Sequence, residues 1–450
     1  MIRHMPSKPG QLQPPYASRA DRLLFRETDN RMLAIFRILF GLLMALHCIL
    51  AIVKGQVNRN FISPPFTFNY IGFDFLQPLP GQGMYIFFSL MALAALMVMI
   101  GYRYRFCSLV MACMWTIIYL MQKMDYNNHY YLMVLLCWMM AFVPAHHRFS
   151  VDAHSGFAVQ KSVCRQWVPI LFIGLLAIMY VFAGISKFDP DWLSGRFLEI
   201  MFSRYRNHTF LSGMYSNSGF ALLISYAGLL FDLLIVPALL WKKTRNAAFL
   251  FSCCFHLFNS YTFHVGIFPY LGIALNLFFY MPIQTSLQEP LSITIGHTPY
   301  QKLIRIALSL FLTIQLLLPL RHFIFPGNVF WTDEGYRMSW KMMGRTKSGW
   351  VKFKVTDAEG RLKEYIDPAK ELSTTHCMWL AGSPDMIWQY AQRIKKKYQD
   401  TNNMRVKVFA VGEVSLNRRK PLPLIDSTIN LAEQTWQPFR HSTWILPFHR

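Results

Sequence analysis

The stretch Tyr180-Val-Phe-Ala-Gly-Ile-Ser-Lys-Phe-Asp-Pro-Asp-Trp192 decides how this chain is read, because a long apolar run stops there at Lys187, Asp189, Pro190 and Asp191. A bilayer asks a helix for about 20 apolar residues, so Lys187 stands at a membrane edge. A lysine so placed has two readings. Its ammonium pairs with Asp189 or Asp191 while its stem lies along the lipid, or desolvation leaves a neutral amine that takes a proton from a bound substrate. The two aspartates favour the charged form, and position alone leaves both readings open.

Composition fixes the class. Of 450 residues, 54% are hydrophobic, 16% aromatic and only 15% charged, and the mean hydropathy is +0.26. That is too apolar for an ordinary soluble enzyme and points to a polytopic membrane protein. The formal charge of +22 is scattered through short loops between apolar runs. Topology and anionic headgroups account for it, and nucleic acid is not an expected partner. The eight cysteines show no CxxC or zinc-finger spacing, so neither a metal centre nor a disulfide framework is expected.

Residues 1–31 form a basic arm broken by prolines, without the apolar core of a signal peptide. Candidate spans follow at 32–53, 83–102, 105–122, 130–145, 165–186, 219–241, 246–265, 267–283 and 303–320, about nine transmembrane helices within a membrane domain of residues 32–321. If they alternate, most loop lysines and arginines fall on one side, the cytoplasm. The other side receives the 54–82 loop, Asn127-Asn128-His129, the Lys187 segment, the turn near His264 and everything after residue 321. Lys187, His129 and His264 then gather at one end, with His256 two turns deeper.

Residues 322–450 read as a water-facing α+β or β-rich domain. Val351 to Val355 and Arg361 to Ile366 form a hairpin signature around Asp357-Ala-Glu-Gly360, an amphipathic helix covers 385–399, and Met404 to Val414 reads as a further strand. Within the membrane, Phe251-Ser-Cys-Cys-Phe-His-Leu-Phe-Asn-Ser-Tyr-Thr-Phe-His264 is too polar to face lipid, and its histidines default to function. His129 reads equally as a helix cap or a site residue. His47 raises haem ligation but has no convincing opposed partner, and no clustered HxxxH boxes occur, so a metal-free site is expected. Arg37, near the cytoplasmic end of the first span, reads as a snorkelling structural residue.

Taken in order, Phe36-Arg-Ile-Leu-Phe-Gly-Leu-Leu-Met44, Asn127-Asn-His129, Phe149-Ser-Val-Asp152, Phe182-Ala-Gly-Ile-Ser-Lys-Phe-Asp-Pro-Asp-Trp192, Phe255-His-Leu-Phe-Asn-Ser260, Gly335-Tyr-Arg-Met-Ser-Trp-Lys-Met-Met343 and Trp436-Gln-Pro-Phe-Arg-His-Ser-Thr-Trp444 resemble the vitamin K-dependent gamma-glutamyl carboxylase and its microbial horizontally transferred transmembrane domain relatives. The resemblance implies Lys187 as the base that deprotonates reduced vitamin K (phylloquinol or menaquinol), with His129, Asn128 and His256 assisting. Dioxygen would convert the quinol towards an epoxide, releasing a base strong enough to take a glutamyl γ-proton, and carbon dioxide would trap the carbanion. A glutamate-containing protein or peptide, a quinone and membrane lipids are the implied partners. The location would be the bacterial inner membrane with the site facing the periplasm, or the endoplasmic reticulum in a eukaryote.

The chain departs from the animal enzyme in several places. Ser186 stands where that enzyme has a second lysine, Arg345 where it has a histidine, and Phe68 where it has a disulfide cysteine. The alternatives are a quinol epoxidase or monooxygenase that carboxylates nothing, and a non-catalytic scaffold or transporter of the same fold.

Overall fold

The computed structural model describes residues 19–124, 126–205, 211–283 and 299–448, so most of the N-terminal arm lies outside the described residues. Six helices are long and apolar enough to cross a bilayer: Arg31–Val53, Gly83–Ile100, Tyr104–Met121, Trp167–Ser186, Ser218–Leu240 and Pro299–Ile324. Asn128–Phe142 and Phe268–Tyr280 are apolar but shorter. Arg245–Phe263 has 19 residues but spends several of them on polar side chains, Ser252, His256 and Asn259 among them. The protein is thus an integral membrane protein with a polytopic helical region.

Local chemistry sets where these helices turn. Gly101 ends Gly83–Ile100 in the left-handed region (φ 69°), and both carboxylate oxygens of Asp152 accept from the first backbone amides of the next helix, Arg103 and Tyr104, each at 2.8 Å. A side chain at 101 has no room, because its Cβ would lie 2.0 Å from Arg37 Nη1. Arg37 does not snorkel. It is fully buried and donates to the carbonyls of Val98 (3.3 Å) and Phe149, because a guanidinium removed from water needs fixed acceptors. Gly41 brings two helices into backbone contact, since a Cβ there would lie 2.5 Å from Met99 N. On the last long helix Leu303, Ile306, Leu310 and Leu317 stay exposed, the apolar surface that lipid covers.

At the end away from Lys187, Glu27–Asp29 pairs antiparallel with Val163–Arg165, and Arg305 Nη1 donates to both carboxylate oxygens of Asp21 at 2.9 and 3.1 Å. The C-terminal domain is built on a three-stranded antiparallel sheet in the order Leu362–Ile366, Lys347–Asp357, Val406–Leu416. Phe353 stands opposite both Ile366 and Ala410. Alternation buries Val351, Phe353 and Val355 against Met386, Ile387, Tyr390 and Ile394 of the helix Pro384–Asn402. Each such side chain contributes at most about 1.5–3 kcal/mol.

The two parts interlock. Met338, Trp340 and Met343 all take left-handed φ (62°, 56° and 53°), which costs of order 1–3 kcal/mol each. Their turns drive Trp340 into the core of the membrane helices, where it is fully buried with its ring 5.1 Å from that of Tyr131. Burial of that indole offsets part of the cost.

Candidate functional site

Trp167–Ser186 is the most buried of the six long helices, and Lys187 is its C-cap. The chain turns immediately: Asp189 accepts from Asp191 N at 2.9 Å and Pro190 opens a four-residue helix, Pro190–Leu193. That turn fixes three side chains at once. Trp192 donates its indole N–H to Ser225 O (2.8 Å) and lays its ring 4.8 Å from Lys187 Nζ. Lys187, only 5% exposed, points its ammonium into the helix Ser218–Leu240 and pairs with Asp232, itself 7% exposed. Small residues make the fit possible. A Cβ at Gly228 would meet Trp192 Cζ2 at 3.2 Å and Lys187 Cε at 3.9 Å.

Of the two readings left open by the sequence, the one that pairs Lys187 with a neighbouring aspartate does not describe the structure: its partner is Asp232. Asp191 is engaged from the opposite direction, by the guanidinium of Arg419 and by Asn417 Nδ2 (2.7 Å). Burial works against it, but these bonds together hold its carboxyl below the usual carboxylate range. Asp232 was missed, although a lone carboxylate inside an otherwise apolar 23-residue helix is a signal in itself.

A second group lies on the same helix. Tyr180, two turns before Lys187, brings its hydroxyl to 3.3 Å from His256 Nε2. His256 is 1% exposed, and its Nδ1 is buried with no hydrogen-bond partner. It packs against glycine, since a Cβ at Gly272 would lie 2.6 Å from His256 Cε1. Phe268 stands between the two predicted histidines. Its centroid is 3.7 Å from the His129 ring, nearly parallel at 10°, and 6.0 Å from His256, edge-on at 79°. Lys187, His256 and His129 are thereby joined through Tyr180 and Phe268.

Asn128 is committed elsewhere. Its Oδ1 accepts from Tyr126 OH and its Nδ2 donates to Lys341 O, both at 2.9 Å, which ties the start of Asn128–Phe142 to the C-terminal domain. His264 is exposed, in the left-handed residue that ends Arg245–Phe263. His47 sits apart, edge-on to Trp115 and Tyr130 at 5.2 and 5.5 Å. An open cleft of about 960 Å³ flanks the Lys187 segment on its other side. Phe182, Ser186, Phe188, Phe323, Phe330 and Lys341 are part of its lining, and the Lys187 ammonium is turned away from it.

Comparison with protein families agrees with this architecture. The model of the HTTM domain matches residues 25–283. That of the lumenal domain of vitamin K-dependent gamma-carboxylase matches residues 300–450. No solved structure matches the chain. The first match covers more than half of the protein and contains Lys187, Asp232, His256 and His129; the chain therefore belongs to the HTTM-domain family, joined to a lumenal domain of the gamma-carboxylase type.

Proposed function

We propose that this protein is a quinol-dependent gamma-glutamyl carboxylase, or carries out the quinol epoxidation half of that reaction, with nine membrane crossings and its Lys187 end facing the periplasm of a bacterial inner membrane. The six long helices, the two shorter apolar ones and Arg245–Phe263 are the nine crossings. The observation that carries the reading is the buried, unsatisfied His256 Nδ1 beside an aromatic stack, two turns below a buried lysine–aspartate pair.

The donor chemistry there suits an aromatic diol: His256 Nδ1 lacks the partner that a quinol oxygen would supply, and its neighbours Phe268 and His129, stacked on one another, are aromatic. A bound reduced naphthoquinone, oxidised by dioxygen, would supply the strong base that removal of a glutamyl γ-proton needs, and carbon dioxide would supply the new carboxyl carbon.

The chain's own residues then have separable tasks. In this scheme Tyr180, 3.3 Å from His256 Nε2, is the donor of that pair, which puts the imidazole proton on Nδ1 and makes that atom a donor towards an oxyanion. Lys187 Nζ passes its extra proton to Asp232 and becomes an amine able to accept the proton of a quinol hydroxyl. A pair removed from water makes that transfer easier, because it replaces two buried charges with none. Trp192 holds the lysine stem over Asp232 and excludes water. Asn128 keeps the C-terminal domain seated over the site through Lys341.

The test uses purified protein in detergent with phylloquinol or menaquinol, dioxygen, labelled bicarbonate and a glutamate-rich peptide, measuring epoxide and fixed label separately. Both products, lost in Lys187→Ala and in the Lys187→Met/Asp232→Leu double variant while gel filtration shows folded protein, support a carboxylase. Epoxide alone reduces the reading to the epoxidase. Turnover by the folded variants equal to wild type removes Lys187 from the mechanism.

A further inference from the structure

The cleft of about 960 Å³ beside the Lys187 segment has a shape that two membrane helices explain. Trp167–Ser186 and Pro299–Ile324 meet closely at Gly174, where an added Cβ would lie 3.1 Å from Leu312 Cδ2. About 12 Å further along, at 1.5 Å per residue, Phe182 and Ile185 of the first helix and Leu320 and Phe323 of the second line the cleft instead. The helices therefore part towards the Lys187 end, leaving Ile185, Phe188 and Phe323 exposed. This wedge continues the surface of Leu310 and Leu317, which lipid covers.

The rim of the wedge is polar and belongs to both parts of the chain. Lys341 reaches it from the C-terminal domain, and Asp189 from the turn after Lys187. Lys341 is fixed at its backbone, since its carbonyl accepts from Asn128 Nδ2 (2.9 Å) and Tyr336 OH (3.3 Å). Its ammonium stands 5.4 Å from the Phe330 ring, and among the described residues no carboxylate forms an ion pair with it. Asp189 is the charge that acts on it from further off, opposing the downward push of burial. Asp189 itself accepts from Asp191 N, and a carboxylate carries about four acceptor sites in all. Asn328 spends Oδ1 on Phe330 N (2.9 Å), so its amide nitrogen brings two donors to the same rim. A cation, a carboxylate and an amide thus stand over an apolar slot.

A slot that is apolar at membrane depth, with separated charges of both signs at its rim, is complementary to an acyl chain below a zwitterion. We infer that the cleft holds one phosphatidylethanolamine molecule of the surrounding bilayer, with an acyl chain between Ile185 and Phe323, its phosphate on Lys341 and its ammonium on Asp189. Phosphate on a lysine ammonium is a charge-assisted contact, and the glycerol esters supply acceptors for Asn328. A headgroup with negative charge alone would set that charge against Asp189, and a ligand without a chain would leave the wedge unfilled. The Lys187 ammonium is turned away from the cleft, so the lipid braces the Ile185 to Asp189 segment from behind and takes no part in the chemistry. The inference stands apart from the proposed reaction and survives its failure.

Native mass spectrometry of the full-length, delipidated protein in detergent tests it, by titration with phosphatidylethanolamine, phosphatidylcholine, phosphatidylglycerol and diacylglycerol of equal chain length. The first equivalent of phosphatidylethanolamine should bind roughly tenfold more tightly than later ones and than the first equivalent of any other probe. Lys341→Gln should lose that preference and Lys341→Arg should keep most of it. Asp189→Asn still caps the turn that follows, and should bind phosphatidylethanolamine and phosphatidylcholine alike. Ile185→Trp, at an exposed position that tolerates substitution, fills the wedge and should displace the first equivalent without touching a charge. Diacylglycerol binding as tightly as phosphatidylethanolamine, phosphatidylglycerol binding more tightly, or titrations unchanged in folded Lys341→Gln and Ile185→Trp would overturn the inference and make the cleft a surface bathed by bulk lipid.

Discussion

The two buried ion clusters make an instructive pair. At the Lys187 end one ammonium meets one carboxylate on the flank of a membrane helix, with an indole beside it. Around Asp385, in the C-terminal domain, one carboxylate meets two cations, and the Arg337 guanidinium engages both of its oxygens. The first arrangement can cancel its charges by moving a single proton, whereas the second cannot, because a guanidinium does not give up its proton. One is suited to proton transfer and the other to holding an interface.

The strongest way to break that contrast is a double-mutant cycle. Lys187→Met or Asp232→Leu alone strands a buried ionisable group and should lower stability by about 3–5 kcal/mol, while the double variant should recover most of it. Denaturant unfolding in detergent measures the cycle, and simply additive losses would mean the pair is not a unit. Next in size is Gly272→Ala. Its Cβ has no room beside His256 and must push the imidazole away from Tyr180, costing roughly 1–3 kcal/mol. Quinol turnover should fall more than tenfold while quinol-independent properties change little; unchanged turnover would detach His256 from the site.

pH gives a smaller, signed effect. Burial lowers Lys123 from 10.5 to about 8, so the folded protein releases this proton before the unfolded chain does. Stability should therefore rise with pH between about 8 and 10.5. A thermal shift of roughly 2–4 °C over that window, missing in Lys123→Met, is the expected reading; the same rise in the variant would assign it to another group. Smallest is Gly228→Ala, where contact with Trp192 at 3.2 Å should cost about 1 kcal/mol or less and reorient the indole over Lys187. An altered pH–rate profile with near-normal stability is the signature to look for.

Local signals carried the sequence reading a long way. The apolar runs, the hairpin around Asp357 to Gly360 and the amphipathic helix 385–399 depend on neighbours in the chain, and each corresponds to an element of the structure. Partners far apart in the chain were not legible. Asp232 lies 45 residues from Lys187, Arg419 lies 228 from Asp191, and Trp340 reaches the membrane core only through three left-handed residues. Arg37 was read as snorkelling because its depth could be counted but its acceptors, at Val98 and Phe149, could not. Lys187, His129 and His256 stand out in the sequence as polar residues in or beside apolar runs, but what joins them in the fold is Tyr180, Phe268 and Asp232, side chains of ordinary type in apolar surroundings.

Trp340 carries a consequence for biogenesis. Helices that emerge from the ribosome first and enter the bilayer early remain without one of their central side chains until residues some 200 positions after Tyr131 have been made and delivered to the Lys187 end. The membrane region cannot reach its final packing during insertion. Its last step is a tryptophan arriving from the aqueous side, so the maturation of the bundle follows the delivery of the C-terminal domain.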